Sequence, residues 1–301
     1  MAHHRNDHSI EKISVAEEVA PIGHSNSRYV EECITRFRKW YKGQDSLGQS
    51  EECLTIPLSI SDFLDLKKVL NIDEDEKYYF IPLSPRYLLK HNRFPKYCYS
   101  ALSTTLAIQR MPSSIHEKAV STVANGFSSV RKALPTNLRR KIHIVTNQVF
   151  TEFDDKYENS EKTPDTTVQI TNSQGMVNIK FVLEVGLSKS YEMLVQDARL
   201  WIEGDPNVNF VMIVKMEENP PYQSPVRHLT DDQFEQHNFP EWKNINMKTF
   251  ALDGEYGPAS FMGLCWVGRI SGFLEVWERD TASNIAKITP AGRIVSYYPS
   301  R

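Results

Sequence analysis

The sequence predicts a mixed α/β fold built around one sheet. Between residues 98 and 218, helix-period and strand-period apolar patterns follow each other in the order helix, three strands, helix, strand. Apolar residues make up 40% of the 301 residues and aromatic residues 11%, which is enough for a sizeable core. Four regions follow: a polar tail (1–25), a helical or irregular N-terminal region (26–97), the core (98–218) and a β-rich C-terminal extension (219–301).

The N-terminal region contains two short amphipathic patterns. A helix is predicted from Tyr29 to Tyr41, and a second from Ser61 to Leu70, where Ser61 is a suitable N-cap. Residues 77–89 are typical of a strand broken by prolines. Residues 98–112 predict a strand or hairpin that ends at Pro112.

The core elements have recognisable ends. A helix begins directly after Pro112, with Ser113 or Ser114 as its cap, and Gly204 stands where a later helix ends. Residues 154–163, DDKYENSEKT, predict a charged loop. The predicted core is therefore a helix at 113–133, strands at 142–153, 164–170 and 176–185, a helix at 190–203 and a buried strand at 208–216.

The C-terminal third begins with a loop rich in proline, NPPYQSP, and continues with short aromatic strand patterns. About 80 residues after a single loop give only a marginal separate core. We therefore expect these strands to extend the sheet or to pack on it.

The net charge of −3 gives no general basic surplus of the kind that nucleic-acid-coating proteins carry. Local basic clusters occur at 36–42 and 131–141, where a solvated helix face is the favoured interpretation.

No apolar run of 18 residues predicts a membrane span, and the polar start of the chain lacks a signal-peptide core. The widely spaced Cys33, Cys53, Cys98 and Cys265 predict free thiols rather than a zinc site. These features predict an intracellular protein, cytoplasmic or nuclear, without a membrane partner.

Glu184 interrupts an apolar strand pattern, FVLEV at 181–185. A buried carboxylate is costly unless a partner or a metal ion offsets its charge. A symmetric turn between the two preceding strand patterns pairs Asp165 with Val182, which brings Asp165 and Glu184 onto one face as diagonal neighbours, about 7–8 Å apart.

Two carboxylates that converge in this way repel each other unless one is protonated or a cation lies between them. Oxygen ligands suit Mg²⁺ or Mn²⁺. The alternative for Glu184 is a strand end reached by water, and for Asp165 a turn residue after Pro164.

The element order, with PD at 164–165 and a glutamate ending the third strand, resembles the PD-(D/E)xK nuclease-like superfamily, whose fold is that of restriction endonucleases. The segment EVGLSKSYEMLVQDARLW is similar to the Uma-type branch, and MPSSIHEKAVSTV to its first core helix. The resemblance covers about residues 99–216.

The resemblance implies that Asp165, Glu184 and Glu117 hold Mg²⁺ or Mn²⁺, although Glu117 also suits the first turn of a helix as a solvated acid. Where the superfamily has a lysine, two residues after the acid, this chain has Gly186. A displaced cation is then expected from Lys215 first, otherwise from Lys189 or Arg199. Ser188 or Ser190 is expected to bind a phosphate oxygen.

The implied function is metal-dependent hydrolysis of nucleic-acid phosphodiester bonds, with DNA favoured over RNA. The alternative is a catalytically degenerate nuclease fold that binds nucleic acid or protein. A structural role within a larger assembly is a third option. The sequence leaves the oligomeric state open.

Overall fold

The computed structural model describes the chain in segments. These are residues 28–41, 53–70, 96–109, 114–187, 189–221, 225–226, 229–254 and 257–296. The predicted tail at 1–25 and the predicted broken strand at 77–89 lie outside the described residues.

The fold is mixed α/β, as predicted. The helices are α1 (Arg28–Tyr41), α2 (Ile60–Leu70), α3 (Ser114–Ala133), α4 (Thr136–Arg139), α5 (Tyr191–Gly204) and α6 (Asp231–His237). The strands are β1 (Cys53–Pro57), β2 (Tyr97–Ser100), β3 (Thr105–Gln109), β4 (Ile142–Val145), β5 (Glu161–Lys162), β6 (Thr166–Thr171), β7 (Val177–Gly186), β8 (Phe210–Asn219), β9 (Ala251–Leu252), β10 (Ala259–Phe261), β11 (Leu264–Val267), β12 (Arg269–Arg279) and β13 (Ala286–Ser296).

The central sheet has the strand order β13-β12-β8-β7-β6-β4. Strands β7 and β8 are parallel and are joined through α5, whereas the other neighbours are antiparallel. Alternate side chains of β7 enter two different cores. Leu183 and Val185 pack with Val120 of α3, while Val182 packs with Leu194 and Ala198 of α5. Helices α3 and α5 therefore cover opposite faces of the sheet.

The pairing of β6 with β7 differs from the symmetric-turn prediction by two residues near Asp165. Thr166 pairs with Leu183, and a β-bulge after Val168 changes the register by one toward the turn. The turn accounts for one residue of this difference, because the Asn172 side chain accepts hydrogen bonds from the main-chain N–H groups of Gln174 and Met176, and the bulge adds the second. The shift of two residues keeps Thr166, Thr167 and Val168 on their predicted faces relative to β7, whereas the shift of one residue beyond the bulge reverses this relation for the last three residues of β6.

The N-terminal region contains strands as well as the predicted helices. A second sheet has the order β1-β3-β2-β5, and its core joins residues of α1 and α2 to these strands. Strand β5 lies within the segment predicted as a charged loop, yet both of its residues are buried. Glu161 accepts hydrogen bonds from Lys67 Nζ at 2.7 Å and from the Tyr97 hydroxyl at 2.8 Å. The ion pair between Lys67 and Glu161 therefore fixes α2 to β5.

The C-terminal strands divide between two sheets. Strand β12 pairs with β8 along most of its length and β13 follows it, so both belong to the central sheet. Strands β9, β10 and β11 form a small antiparallel sheet of their own. In the part of the chain that the structure describes, no helix combines the length and the apolar character needed to cross a membrane.

Candidate functional site

Glu184 faces α5 from the buried end of β7. Its Oε1 accepts a hydrogen bond of 2.9 Å from Trp201 Nε1, and its side chain is only 2% exposed. Trp201 is fully buried because it lies on the apolar stripe of α5 and contacts Phe150 and Phe153. The indole therefore satisfies one oxygen of the carboxylate without contributing charge.

Two lysines bring positive charge to the same place. Lys162 Nζ, from β5, lies 2.7 Å from Asp197 Oδ1 and 3.5 Å from Glu184 Oε2. Lys189 Nζ, from the loop before α5, is paired with Asp197 Oδ2 and lies 4.0 Å from Glu184 Oε2. We call Lys162, Glu184, Lys189 and Asp197 the buried ion cluster. Its formal charges sum to zero.

The two acids of the cluster are held differently. Burial raises the pKa of Asp197, but the adjacent Lys162 and Lys189 outweigh burial and leave the pKa below its usual value. For Glu184, burial outweighs the more distant Lys162 and raises the pKa. Burial also disfavours the Lys162 ammonium, yet Asp197 and Glu184 raise its pKa well above normal. Asp197 is therefore the main counter-ion of the cluster.

Asp165 lies just before β6 and completes the β6–β7 ladder. Its main-chain N–H donates to Leu183 O at 3.2 Å, and its Oδ2 accepts from Val185 N–H at 2.7 Å, where a strand carbonyl normally stands. Its Oδ1 lies 2.5 Å from Lys96 Nζ and 3.3 Å from His116 Nε2 of α3.

Among these partners, His116 of α3 binds Asp165 and Trp201 of α5 binds Glu184, and these two helices cover opposite faces of the sheet. The carboxylate of Asp165 substitutes for main chain beside Val185, and among the described residues it shares no ion-pair partner with Glu184. Burial acts to raise the pKa of Asp165, but Lys96 and His116 outweigh burial and hold it well below its usual value. Asp165 is thus ionised and internally neutralised.

The Asp165–His116 contact makes stability dependent on pH. Burial lowers the pKa of His116, but Asp165 outweighs burial, so the folded-state pKa is raised; Lys96 opposes and Glu117 supports this increase. The contribution of this contact to the free energy of unfolding is complete below the unfolded-state pKa of about 6.5. It is lost as the pH rises through the folded-state pKa of His116. We expect the free energy of unfolding to fall over this interval. Urea denaturation of wild type and His116→Gln between pH 6 and about pH 9 measures it, and equal pH slopes would contradict the assignment.

The other candidate site residues predicted from the sequence, Glu117 and Lys215, form no hydrogen bond or ion pair with Glu184 in the described part of the chain. Glu117 is half exposed, and its Oε1 lies 3.5 Å from His116 Nδ1. Lys215 Nζ donates to the main-chain oxygens of Leu187 and Met216 at 3.0 and 2.9 Å, and burial lowers its pKa. Lys162 and Lys189, not Lys215, approach Glu184.

At position 186 the structure leaves little room for the lysine of the superfamily pattern. A Cβ atom on Gly186 would lie 2.9 Å from Leu194 Cδ1 and 3.1 Å from Lys189 Cβ. Ser190 is engaged as the N-cap of α5, where its hydroxyl accepts from Met193 N–H. Arg199 is exposed on α5, and Ser188 lies outside the described residues.

Sequence reasoning missed five residues that complete these contacts. For Asp197 and Trp201 the helical spacing was an available signal: they are four residues apart on one helix, so they share a face. Lys162, Lys96 and His116 gave no local signal, since their partners belong to other elements.

The arrangement around Glu184 does not fit a divalent metal ion. Its Oε1 accepts from an indole N–H and its Oε2 faces two ammonium groups, which repel a cation. Within the described segments, no group of three or more His, Cys, Asp or Glu residues has an arrangement that could hold a metal.

Comparisons with known proteins give no match to this chain. A scan against protein-family models finds no matching family, and searches of curated proteins and of solved structures find no match.

Proposed function

We propose that this chain is a nuclease-like protein with a restriction-endonuclease-like core that binds DNA without cutting it. One observation carries the absence of cutting: the cations beside the candidate catalytic acids are lysines of the chain itself. DNA binding is proposed from the resemblance of residues 99–216 to the nuclease-like superfamily. Lys162 and Lys189 neutralise Glu184 and Asp197, while Lys96 neutralises Asp165. A metal-dependent hydrolase needs such acids for its metal ion.

The burial of the acids supports the same conclusion. The side chains of Asp165 and Glu184 are 3% and 2% exposed, so a phosphodiester group cannot reach them in this conformation. Catalysis requires the reacting groups within about 3–3.5 Å of each other.

A hydrolase is the second candidate, and one feature favours it. By extension of the β6–β7 register, Asp165 and Glu184 stand opposite each other along the main chain, and Lys189 replaces the cation that Gly186 cannot supply. Such a site requires the lysines to leave the acids when metal and substrate bind.

Calorimetric titration with Mn²⁺ distinguishes the two candidates. We expect no binding heat at millimolar Mn²⁺, because a divalent ion must displace ammonium groups held in the protein interior. We also expect a labelled DNA duplex to bind in EDTA and to remain uncut after addition of Mg²⁺ or Mn²⁺. Fluorescence anisotropy and gel analysis measure binding and cleavage.

The Asp165→Asn and Glu184→Gln variants show whether any Mn²⁺ binding or DNA cleavage depends on the candidate acids. Glu192→Gln is an exposed control on α5. Mn²⁺ binding and cleavage that disappear in the first two variants and persist in the control would establish the hydrolase. Absence of DNA binding by the wild-type chain would refute the binding function.

A further inference from the structure

One surface of this acidic chain carries a concentrated positive charge. No Asp or Glu occurs between Glu117 and Glu152, although the net charge of the protein is −3. The basic residues in that interval are Lys118, Arg131, Lys132, Arg139, Arg140 and Lys141.

The structure brings the last five of these together, and we call them the basic face. Arg131 and Lys132 lie in the last turn of α3, Arg139 ends α4, and Arg140 and Lys141 lead into β4. Arg131 Nε donates to the main-chain oxygen of Arg139 at 3.1 Å, which ties the two basic segments to each other.

The charge of the basic face is uncompensated. Among the residues that the structure describes, none of the five forms an ion pair with a carboxylate, whereas other surface cations do: Arg28 pairs with Glu32, Lys156 with Glu203 and Lys287 with Asp280. The dipole at the C-terminus of α3 favours cations in the last turn, which explains the positions of Arg131 and Lys132 without a ligand. It does not explain Arg140 and Lys141, which lie beyond that helix.

We infer that the basic face is a docking surface for the sugar-phosphate backbone of duplex DNA. Three of its five residues are arginines, whose planar guanidinium groups match phosphate oxygens in a bidentate geometry. An anionic membrane is less suited, because the large apolar side chains that protrude from this segment are Val130 and Leu138 and no aromatic side chain accompanies them.

The basic face is separate from the candidate acids. His116, which contacts Asp165, and Arg131 lie at opposite ends of α3, about 22 Å apart at 1.5 Å per residue. A duplex on the basic face thus binds away from the buried acids. The inference rests on the proposed DNA-binding function and names the surface that performs it.

The test compares two triple variants with the same change of charge. Arg139→Gln/Arg140→Gln/Lys141→Gln removes three of the five cations of the basic face, while Lys243→Gln/Lys248→Gln/Lys287→Gln removes three exposed cations elsewhere. Anisotropy of a labelled 20-base-pair duplex is measured in EDTA over a range of salt concentrations, with circular dichroism melts to verify folding.

We expect the first variant to weaken binding at least about tenfold and the control to change it little. Each phosphate contact contributes about −0.9 to the slope of log K against log salt for duplex DNA, so the slope becomes shallower by about 2–3 in the first variant alone. Because single-stranded DNA gives only about −0.7 per contact for any protein, the preference for the duplex is measured by affinity, and we expect the wild-type chain to bind the duplex more tightly than a single strand of the same length at equal salt.

The outcomes separate this inference from the proposed function. Equal binding by both variants overturns the basic face and leaves DNA binding intact. Metal-dependent cleavage with binding lost only in the first variant supports the basic face and refutes the non-cutting function. Wild-type binding to phosphatidylserine vesicles but not to DNA overturns both.

Discussion

Replacement of Asp197 by asparagine is expected to lower the free energy of unfolding by about 3–5 kcal/mol. Asp197 is the closest anion to both lysines of the buried ion cluster, at 2.7 Å from Lys162 Nζ and in direct contact with Lys189. Its loss leaves two buried ammonium groups with Glu184 alone, at 3.5 and 4.0 Å. One buried positive charge then has no counter-ion.

Glu184→Gln is expected to cost much less than Asp197→Asn. The folded state already disfavours the Glu184 anion, since burial raises its pKa more than Lys162 lowers it. Glutamine keeps the shape of the protonated side chain and an oxygen for the Trp201 N–H. A stable Glu184→Gln variant is therefore not, by itself, a sign of a metal site.

Urea denaturation at neutral pH in EDTA measures both variants, with Glu192→Gln as the exposed control on the same helix. A larger loss for Glu184→Gln than for Asp197→Asn would contradict the assignment of Asp197 as the main counter-ion.

Lys67→Met is the second change expected to destabilise strongly, again by about 3–5 kcal/mol. Lys67 of α2 and Glu161 of β5 are both buried and 2.7 Å apart. Without the lysine, the Glu161 carboxylate keeps the Tyr97 hydroxyl as its nearest described donor but loses the charge that balances it. A buried carboxylate without a counter-charge is costly.

A double-mutant cycle gives the sharpest form of this test. Adding Glu161→Gln to Lys67→Met removes the unbalanced charge and should recover part of the loss. Lys68→Met is the matched control, because Lys68 is the adjacent lysine on α2 and is exposed. If Lys68→Met destabilises as much as Lys67→Met, the buried pair is not the cause.

The elements of the central sheet were predictable because their patterns are local. The helix predicted at 113–133 is Ser114–Ala133, and that at 190–203 is Tyr191–Gly204. In each, the apolar spacing and a capping residue indicate both the face and the ends.

The candidate site was less predictable because its contacts join distant elements. The stretch DDKYENSEKT is typical of a solvated loop, yet its Glu161 and Lys162 are buried by partners on other elements. The register of the hairpin was also missed, because the Asn172 side chain fixes a turn that strand periodicity does not specify.

Strand β5 has one further consequence, which concerns the rate at which the fold forms and opens. Its two adjacent residues face different cores: Glu161 closes a chain separation of 94 residues to Lys67, while Lys162 joins the central cluster. Closing long loops costs entropy before any contact compensates it, so such contacts form late during folding. Interactions that are absent from the transition state act mainly on the unfolding rate. The two ion pairs of β5 are therefore expected to slow unfolding more than they speed folding, and so to lengthen the lifetime of the folded chain.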